Sequence, residues 1–278
     1  MPDIAVYHLV RAANGPDTFK RFLDSYIRFP AGCDHALILV CKGFSQPIDM
    51  SAYDIHLRGL DYTSVHVDDT GYDLTGYYKT LQKFDHRYCC FLHSFSRILD
   101  KDWLAKLAFH ARREEVGVVG ATGSWETALT WKSEAHDMPQ QSWNGTLRER
   151  ARRLWYRQYF TPFPNAHIRT NAFMITRERM LSLRHGRIET KHAAYLFENG
   201  RQSMTRQIQK AGLKTLVVGR DGVAYDVSDW PQSNTFRSGE QSNLLVADNR
   251  TQSYLDADET ERTHQAWAAW GEQIYSSK

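Results

Sequence analysis

Charged side chains follow directly after two short apolar runs near the start of the chain. Arg11 comes after the run Ile4–Val10, and Lys42 comes after the run Ala36–Cys41. A guanidinium fork suits phosphate oxygens, and a lysine supplies a compact positive charge. The two residues therefore predict an anion site, with the alternative that each is an ordinary exposed surface cation.

The elements that would position these residues alternate along the first 125 residues. Short apolar runs typical of strands occur at Ile4–Val10, Ala36–Cys41, Ser64–Val67, Tyr88–Leu92 and Val116–Val119. Between them, apolar residues recur at spacings of three and four, which indicates amphipathic helices. This alternation predicts an α/β fold, with a mostly parallel, twisted sheet and helices on both faces.

Ligands of such sheets bind outside the carboxyl ends of the strands. The segments that would converge there are Val10-Arg11, Lys42-Gly43, Asp69–Asp73, His93–Ser96 and Thr122–Glu126. They come from separate parts of the chain, so only the fold can bring them together.

The second half of the chain has a less regular pattern. Ala172–Ile175 and Leu216–Val218 are predicted to be strands, and Lys191–Lys210 has helical spacing that breaks near Asn199-Gly200. No repeat, low-complexity tract or linker divides the chain. We therefore expect a single domain over residues 1–278.

Composition limits the class of protein. With 42% hydrophobic and 24% charged residues, the chain has the balance of a globular protein. A formal charge of +3 is too small to imply nucleic acid as a partner. No apolar run approaches the roughly 18 residues that a membrane span needs, and the N-terminus does not resemble a signal peptide. The four cysteines show no disulfide or C-x-x-C spacing, so the sequence predicts reduced thiols in a cytoplasmic protein.

The order of these segments resembles the GT-A glycosyltransferases, particularly the large inverting family 2. The matching segments are Ile4–Val10, the helix from Asp17, Leu37–Gly43, Asp69–Asp73, Tyr88–Leu92, Ile98–Leu104, Asn171–Ile175 and Phe197–Leu213. The resemblance runs from Ile4 to about Val218 and implies a Rossmann-like nucleotide-sugar-binding fold. It assigns residues 1–125 to the nucleotide-sugar half, and residues 126–278 to the acceptor side and a C-terminal segment.

The function that the resemblance implies is transfer of a sugar from a nucleotide-sugar donor to a glycan or lipid-linked acceptor. Such an enzyme would be a hexosyltransferase-type, inverting glycosyltransferase in the synthesis of cell-surface polysaccharide. The alternative is a catalytically silent protein of the same fold that binds a nucleotide or a sugar.

The chain departs from the family where the metal-binding Asp-x-Asp would stand. Here it has His93-Ser94-Phe95-Ser96, and a histidine with two hydroxyls is a poor site for a hard cation. No metal ligand is predicted. Three explanations stay open: a metal-independent enzyme, Mg²⁺ or Mn²⁺ held by other groups, or a protein that binds without turnover. Asp100-Lys101-Asp102 also fits Asp-x-Asp, but we expect Asp100 to cap the helix that follows.

The resemblance points to Glu198 as the base that takes the proton of the acceptor hydroxyl. The helical spacing agrees, because it places Glu198 near the face of Tyr195 while Phe197 would face the core. The alternative is that Glu198 only pairs with Arg201 or Gln202 within the helix.

The remaining candidates divide between the two substrates. On the donor side they are Val10, Arg11, Lys42, Gly71, Tyr72, Asp73, His93, Ser94 and Ser96. Asp73 could bind ribose hydroxyls or cap a helix, and His93 could donate a hydrogen bond, hold a metal or be a satisfied strand-end histidine. On the acceptor side the candidates are Trp125, Glu126, His167, Arg169 and Asn171. Glu126 is the alternative base.

Two further segments leave alternatives open. The Arg-rich stretch Arg148–Arg157 could contact an anionic membrane surface or a lipid-linked diphosphate, or could pack as an amphipathic helix with a solvated basic face. The last fifty residues could form a flap over the donor or simply pack the chain end, and we expect Asp256-Ala257-Asp258 to lie in a solvated polar tail.

Overall fold

The structure is a computed structural model that describes residues 2–44, 51–54, 56–129 and 156–272. Its strands, in chain order, are β1 (Ile4–Arg11), β2 (Ala36–Lys42), β3 (Thr63–Val67), β4 (Tyr88–Leu92), β5 (Arg97–Ile98), β6 (Val116–Gly120), β7 (Gly123–Ser124), β8 (His167–Ile168), β9 (Ala172–Thr176), β10 (Lys214–Val218), β11 (Ala224–Tyr225) and β12 (Val246–Ala247). Eight of them form the central sheet in the order β11-β10-β6-β9-β4-β1-β2-β3.

Most of this sheet is parallel. Strands β3, β2, β1 and β4 pair in parallel, as do β6 and β10. Strand β9 runs antiparallel between β4 and β6, and β11 is an antiparallel edge strand. Because β9, β10 and β11 belong to the second half of the chain, both halves contribute to one sheet.

The α-helices, in chain order, are α1 (Pro16–Arg28), α2 (Ser51–Asp54), α3 (Asp73–Leu81), α4 (Trp103–Ala111), α5 (Arg177–Ser182), α6 (Lys191–Asn199), α7 (Met204–Lys210), α8 (Asn249–Asp256) and α9 (Glu259–Trp270). Short 3₁₀ helices occur at Ala12–Asn14 and Val227–Ser233. A helical turn covers residues 156–159. The predicted break after Asn199 is confirmed, since α6 ends there and α7 starts at Met204.

Helices cover both faces of the sheet because successive side chains of a strand point to opposite sides. In β1, Val6 packs in one core with α1 and α4, whereas Tyr7 packs in the other core with α3, α5, α6 and α7. The predicted α/β class, with a mostly parallel sheet between two helical layers, is therefore confirmed.

Two small antiparallel ladders connect the sheet to later segments. Strand β5 pairs with β12, and β7 pairs with β8. The first ladder carries the segment before α8 close to the end of β4. The second places the loop after β7 beside the residues that lead into β9.

One sequence prediction of local structure is wrong. Asp102, with φ 57°, precedes α4 as its N-terminal cap residue, whereas Asp100 binds Lys106 at 2.5 Å. The expectation that Asp256 and Asp258 lie at the solvated surface is confirmed, since both are exposed. The segment around them forms α8 and α9, which the side chains of Tyr254 and Trp270 anchor in the interior.

Candidate active site

The carboxyl ends of the parallel strands meet at one edge of the sheet, as the sequence predicts. Arg11 at the end of β1 is in register with Lys42 at the end of β2, and Lys42 is in register with Val67 at the end of β3. His93 follows β4 on the other side of β1. The segments expected at this edge are thus neighbours in space.

Both predicted cations at this edge already have protein partners. The Arg11 guanidinium donates to both carboxylate oxygens of Asp69, at 3.2 and 3.3 Å. Lys42 is buried, and its ammonium group donates to the carbonyl of Gly71 and lies 3.8 Å from Asp69 Oδ1. Burial lowers the pKa of Lys42, although nearby carboxylates oppose the shift. Arg11 keeps a side chain that is 40% exposed, so only this cation of the two can be reached from solvent.

Gly71 has a backbone that a side chain would disturb. Its φ of +67° is a left-handed conformation, which favours glycine. A Cβ at this position would also collide with the Thr75 hydroxyl and the Ile188 carbonyl. Gly71 therefore fixes the carbonyl that accepts from Lys42.

Asp73 and His93 bind each other and join the start of α3 to the end of β4. The distance between Asp73 Oδ2 and His93 Nε2 is 2.9 Å, and the backbone N–H of Phe95 donates to Nδ1 at 3.3 Å. Burial alone would lower the pKa of His93, but the hydrogen bond and charge of Asp73 outweigh it and raise the pKa. Both ring nitrogens are engaged, so the geometry favours the satisfied strand-end histidine among the three alternatives.

Several other donor-side candidates are buried or hydrogen-bonded within the protein. Val10 is a core residue, and Ser94 is buried. The Ser96 hydroxyl donates to the Asn171 carbonyl at 3.0 Å. Tyr72 is the residue that precedes α3, and its side chain is 39% exposed. Of the polar donor-side candidates, Tyr72 and Arg11 thus present the most reachable side chains.

The residues in place of Asp-x-Asp do not fit a divalent cation. His93 is held by Asp73, and the Ser96 hydroxyl is used by a backbone carbonyl. Across residues 2–44, 51–54, 56–129 and 156–272, no three His, Cys, Asp or Glu side chains gather closely enough to hold a metal ion. The proposed reaction therefore uses protein side chains and no metal ion.

A cavity of about 260 Å³ lies beside this edge and contains most of the acceptor-side candidates. Of the residues predicted from sequence, it is lined by His93, Glu126, His167, Arg169, Asn171 and Glu198. The further lining residues are Phe95, Thr170, Tyr195, Asp248, Asn249 and Arg250. Glu198 and His93 therefore share one cavity, whereas Arg11 and Lys42 do not line it.

Glu198 is held by groups outside its own helix. Phe197 is buried and anchors α6, and the Thr190 hydroxyl caps the start of that helix by accepting from the N–H of Ala193. The Thr170 hydroxyl donates to Glu198 Oε2 at 2.6 Å, and His167 Nε2 lies 4.0 Å from Oε1. Pairing with Arg201 or Gln202 is wrong, because Glu198 turns toward the cavity and its 24% exposed side chain stays within reach of a ligand.

His167 sits beneath Glu198 as a buried, oriented imidazole. Its Nδ1 lies 2.8 Å from the Asn165 carbonyl, which leaves Nε2 facing the carboxylate. Burial lowers the pKa of His167, although the charge of Glu198 opposes the shift. His167 is therefore mostly neutral near pH 7.

Arg169 forms a buried ion pair with a residue that the sequence reasoning did not select. Its guanidinium binds Asp248 Oδ2 at 2.6 Å and lies over the Phe236 ring, with 4.1 Å to the centroid. Burial would raise the pKa of Asp248, but the charge and hydrogen bond of Arg169, together with the backbone N–H of Thr251, outweigh it and lower the pKa. The signal that could have identified Asp248 is its capping box with Thr251 at the start of α8.

Glu126 forms a second buried ion pair. Its Oε1 lies 2.5 Å from Arg237, and its Oε2 accepts from the Ser124 hydroxyl at 3.2 Å. Burial would raise the pKa of Glu126, yet the combined charges of Arg237 and the other nearby basic groups prevail and lower it. A carboxylate so stabilised is a weak base, so the geometry favours Glu198 over Glu126 for that role.

Two acceptor-side candidates have contrasting environments. Trp125 packs against Phe163 and Trp270 and does not line the cavity. Asn171 does line it: its Oδ1 accepts from the Thr122 hydroxyl at 2.7 Å, and its Nδ2 has no hydrogen-bond partner among the described residues. Asn171 is thus a donor with unused capacity beside the cavity.

Most of the Arg-rich stretch Arg148–Arg157 lies outside the described residues. Arg157 is described, and its carbonyl accepts from the Arg201 side chain at 3.0 Å. The membrane and lipid-diphosphate hypotheses for this stretch stay predictions. Within the described parts of the chain, no helix combines the length and apolar character needed to cross a membrane.

Comparison with known proteins adds a distant likeness in fold. No family model matches the chain, and no curated protein matches it. A mannosyltransferase from Pyrobaculum calidifontis, solved with GDP-mannose and Mn²⁺, is 12% identical, and the alignment covers 99% of this chain and 72% of that one with a TM-score of 0.47.

Two further solved structures resemble smaller parts of the chain. TarS from S. aureus is 15% identical over 43% of this chain and 21% of its own, with a TM-score of 0.34. A 4-diphosphocytidyl-2C-methyl-D-erythritol synthase from Anaerococcus prevotii is 14% identical over 70% of this chain and 82% of its own, with a TM-score of 0.39. The likeness of these three structures to this chain concerns the fold alone.

Proposed function

We propose that this chain is a GT-A glycosyltransferase that moves a sugar from a nucleotide-sugar donor to a glycan or lipid-linked acceptor, with inversion, in cell-surface polysaccharide synthesis. The observation that carries the proposal is the orientation of Glu198. A partly exposed carboxylate, held by the Thr170 hydroxyl, faces a cavity at the carboxyl edge of a parallel sheet. This is the edge where α/β proteins bind their ligands.

In the proposed reaction Glu198 takes the proton of the acceptor hydroxyl as that oxygen attacks the anomeric carbon. The bond between the anomeric carbon and the diphosphate oxygen breaks, and the diphosphate leaves with the electron pair. The hydrogen bond from Thr170 directs one carboxylate oxygen, which leaves the other oxygen to accept the proton. Inversion follows because the acceptor attacks from the side opposite the leaving group.

Cationic side chains stabilise the leaving diphosphate in this proposal. Arg169 and Arg250 both line the cavity, and Arg11 is half-exposed at the adjoining strand end. A guanidinium can bind two phosphate oxygens at once. In the proposed donor complex, the diphosphate competes with Asp69 for Arg11.

A catalytically silent protein that binds a nucleotide or sugar is the second candidate. The observation that favours it is that Arg11 and Lys42 are already engaged by Asp69 and Gly71, where a donor diphosphate would need free cations. In that case the fold would keep its binding cavity without the groups needed for turnover.

The test is a screen with UDP-, GDP-, CMP- and dTDP-sugars, each with and without Mn²⁺. Thermal stability reports binding, and release of nucleoside diphosphate reports turnover. A glycosyltransferase should be stabilised by one donor class and should hydrolyse it slowly without acceptor. Stabilisation without hydrolysis or transfer would favour the silent binder, and no stabilisation by any donor would contradict both candidates.

A further inference from the structure

A second cavity lies at the opposite edge of the sheet from Glu198. It has a volume of about 480 Å³ and is lined by residues 85–88, 111–114, Val116 and 176–179. These segments hold the amino ends of β4 and β6 and the carboxyl end of the antiparallel β9. It shares no lining residue with the cavity of Glu198, so it is a separate candidate site.

Arginines dominate the charge of this cavity. The five that line it are Arg87, Arg112, Arg113, Arg177 and Arg179, against the carboxylates of Asp85, Glu114 and Glu178. Cations therefore exceed anions in the lining, and a concave wall of one prevailing sign concentrates the opposite charge.

Three of the five arginines have structural partners. Arg179 donates to the Val116 carbonyl at 3.0 Å, and Arg177 donates to the Leu81 carbonyl at 3.2 Å. Arg113 forms an ion pair with Glu115 at 2.5 Å. These contacts account for their positions without a ligand.

Arg87 and Arg112 differ from the other three. Both guanidinium groups lie against the ring of Tyr88, at 5.3 and 5.9 Å from its centroid. Arg112 reaches Asp3 only at 3.9 Å, with both side chains about half exposed, and Arg87 has no ion pair within the described residues. Two weakly compensated guanidinium groups beside one ring leave positive charge at the cavity wall, which an anion in the cavity would neutralise.

We propose that this cavity, with Arg87 and Arg112 as its principal ligands, binds a small molecule that carries a diphosphate or longer phosphate chain. The volume falls within the roughly 300–1,000 Å³ of small-molecule sites, and guanidinium forks match phosphate oxygens. The ring of Tyr88 contacts both guanidinium groups through cation–π interactions. The site lies across the sheet from the proposed sugar transfer, so its occupant is a second ligand and not the donor undergoing reaction.

Inorganic tripolyphosphate is the probe, and isothermal titration calorimetry on the full chain is the measurement. The double variant Arg87→Gln/Arg112→Gln should weaken binding by about tenfold or more, because each arginine supplies charge-assisted hydrogen bonds. Arg11→Gln removes the reachable cation of the proposed donor site and should leave this binding event within twofold. The matched control Arg21→Gln, an exposed arginine of α1, should also leave it unchanged.

The charge-conserving variant Arg87→Lys/Arg112→Lys separates recognition from folding. It should keep the wild-type unfolding midpoint and still lose affinity, since lysine cannot form the bidentate contact. Equal affinity in wild type and the double glutamine variant would overturn the proposal, as would the absence of any binding event in wild type. Because the readout is binding and not turnover, neither result depends on whether the chain transfers sugars.

Discussion

Glu198 is oriented by a polar residue that lies far from it in sequence. The Thr170 hydroxyl donates to one carboxylate oxygen at 2.6 Å, whereas His167 lies 4.0 Å from the other, beyond hydrogen-bond distance. A general base needs both hydrogen-bond reach and a fixed direction toward its proton. The contact with Thr170 provides direction while 24% of the side chain stays exposed.

Replacing Glu198 by Gln should lower the transfer rate by about 10²–10⁴-fold, because the amide cannot accept the acceptor proton. The shape of the side chain is kept, so donor affinity should stay within twofold. Initial rates at saturating donor measure the first quantity, and donor titration followed by thermal shift measures the second.

The matched control is Glu189→Gln, which changes an exposed carboxylate just before α6. It should leave both quantities unchanged. Near-normal turnover in the Glu198 variant would remove this residue from the base role, whatever the identity of the donor.

At the scale of elements, two buried ion pairs attach the C-terminal segment to the sheet. Arg169, just before β9, binds Asp248 at the start of α8, and Glu126, after β7, binds Arg237. The apolar side chains of Trp230, Phe236 and Trp270 are fully buried around them. Within the last fifty residues, the described part up to residue 272 forms part of the cavity wall and of the core, and its packing favours the chain-end alternative over a flap.

Substituting one partner of the Glu126–Arg237 pair should destabilise the protein strongly. Arg237→Met leaves the Glu126 carboxylate buried without its cation, and we expect a loss of about 3–5 kcal/mol in the free energy of unfolding. The double variant Glu126→Gln/Arg237→Met should lose much less, since no uncompensated charge remains. Urea unfolding of wild type, both single variants and the double variant measures the coupling. Additive losses would show that the two side chains contribute independently.

At the scale of the whole molecule, the interior holds a histidine that cannot easily become charged. His8 of β1 is completely buried and stacks on Phe22 of α1, with ring centroids 3.5 Å apart. Neither ring nitrogen has a hydrogen-bond partner among the described residues. Burial, reinforced by the nearby His93, lowers the pKa of His8 well below its usual value.

Acid should therefore destabilise the folded chain through His8. Below the pKa of about 6.5 in the unfolded chain, the unfolded state binds a proton that the folded state cannot, so stability falls as pH decreases. His8→Phe keeps an aromatic ring against Phe22 and removes this proton. Between pH 7 and pH 5 the stability advantage of the variant over wild type should grow by about 2 kcal/mol.

The measurement is urea unfolding of both proteins across that pH range. His93 has a raised pKa and so contributes with the opposite sign, but it is present in both proteins and largely cancels in the difference. A stability difference that does not change with pH would show that His8 is protonated in the folded protein or is hydrated.

The sequence by itself determined the layout of the α/β sheet. Periodic burial along each segment is a local property, so the apolar runs located β1, β2, β4 and β6, and the helical spacing located α1, α3 and α4. The rule that ligands bind at the carboxyl ends of parallel strands then indicated which edge to search. The same rule selects His93 and Glu126, whereas Glu198 is indicated by the resemblance to the GT-A glycosyltransferases; all three line one cavity.

Only the tertiary structure decided how the polar groups pair. Asp248 was not selected because its partner Arg169 is 79 residues away in sequence, and Thr170 was not connected to Glu198, 28 residues away. Ion-pair partners that lie so far apart in sequence produce no periodic pattern along the chain. Whether a buried charge has a partner, and so what its burial costs, depends on the packed tertiary structure. For the same reason Lys42 was predicted as a phosphate ligand, whereas the fold buries it beneath the Gly71 carbonyl.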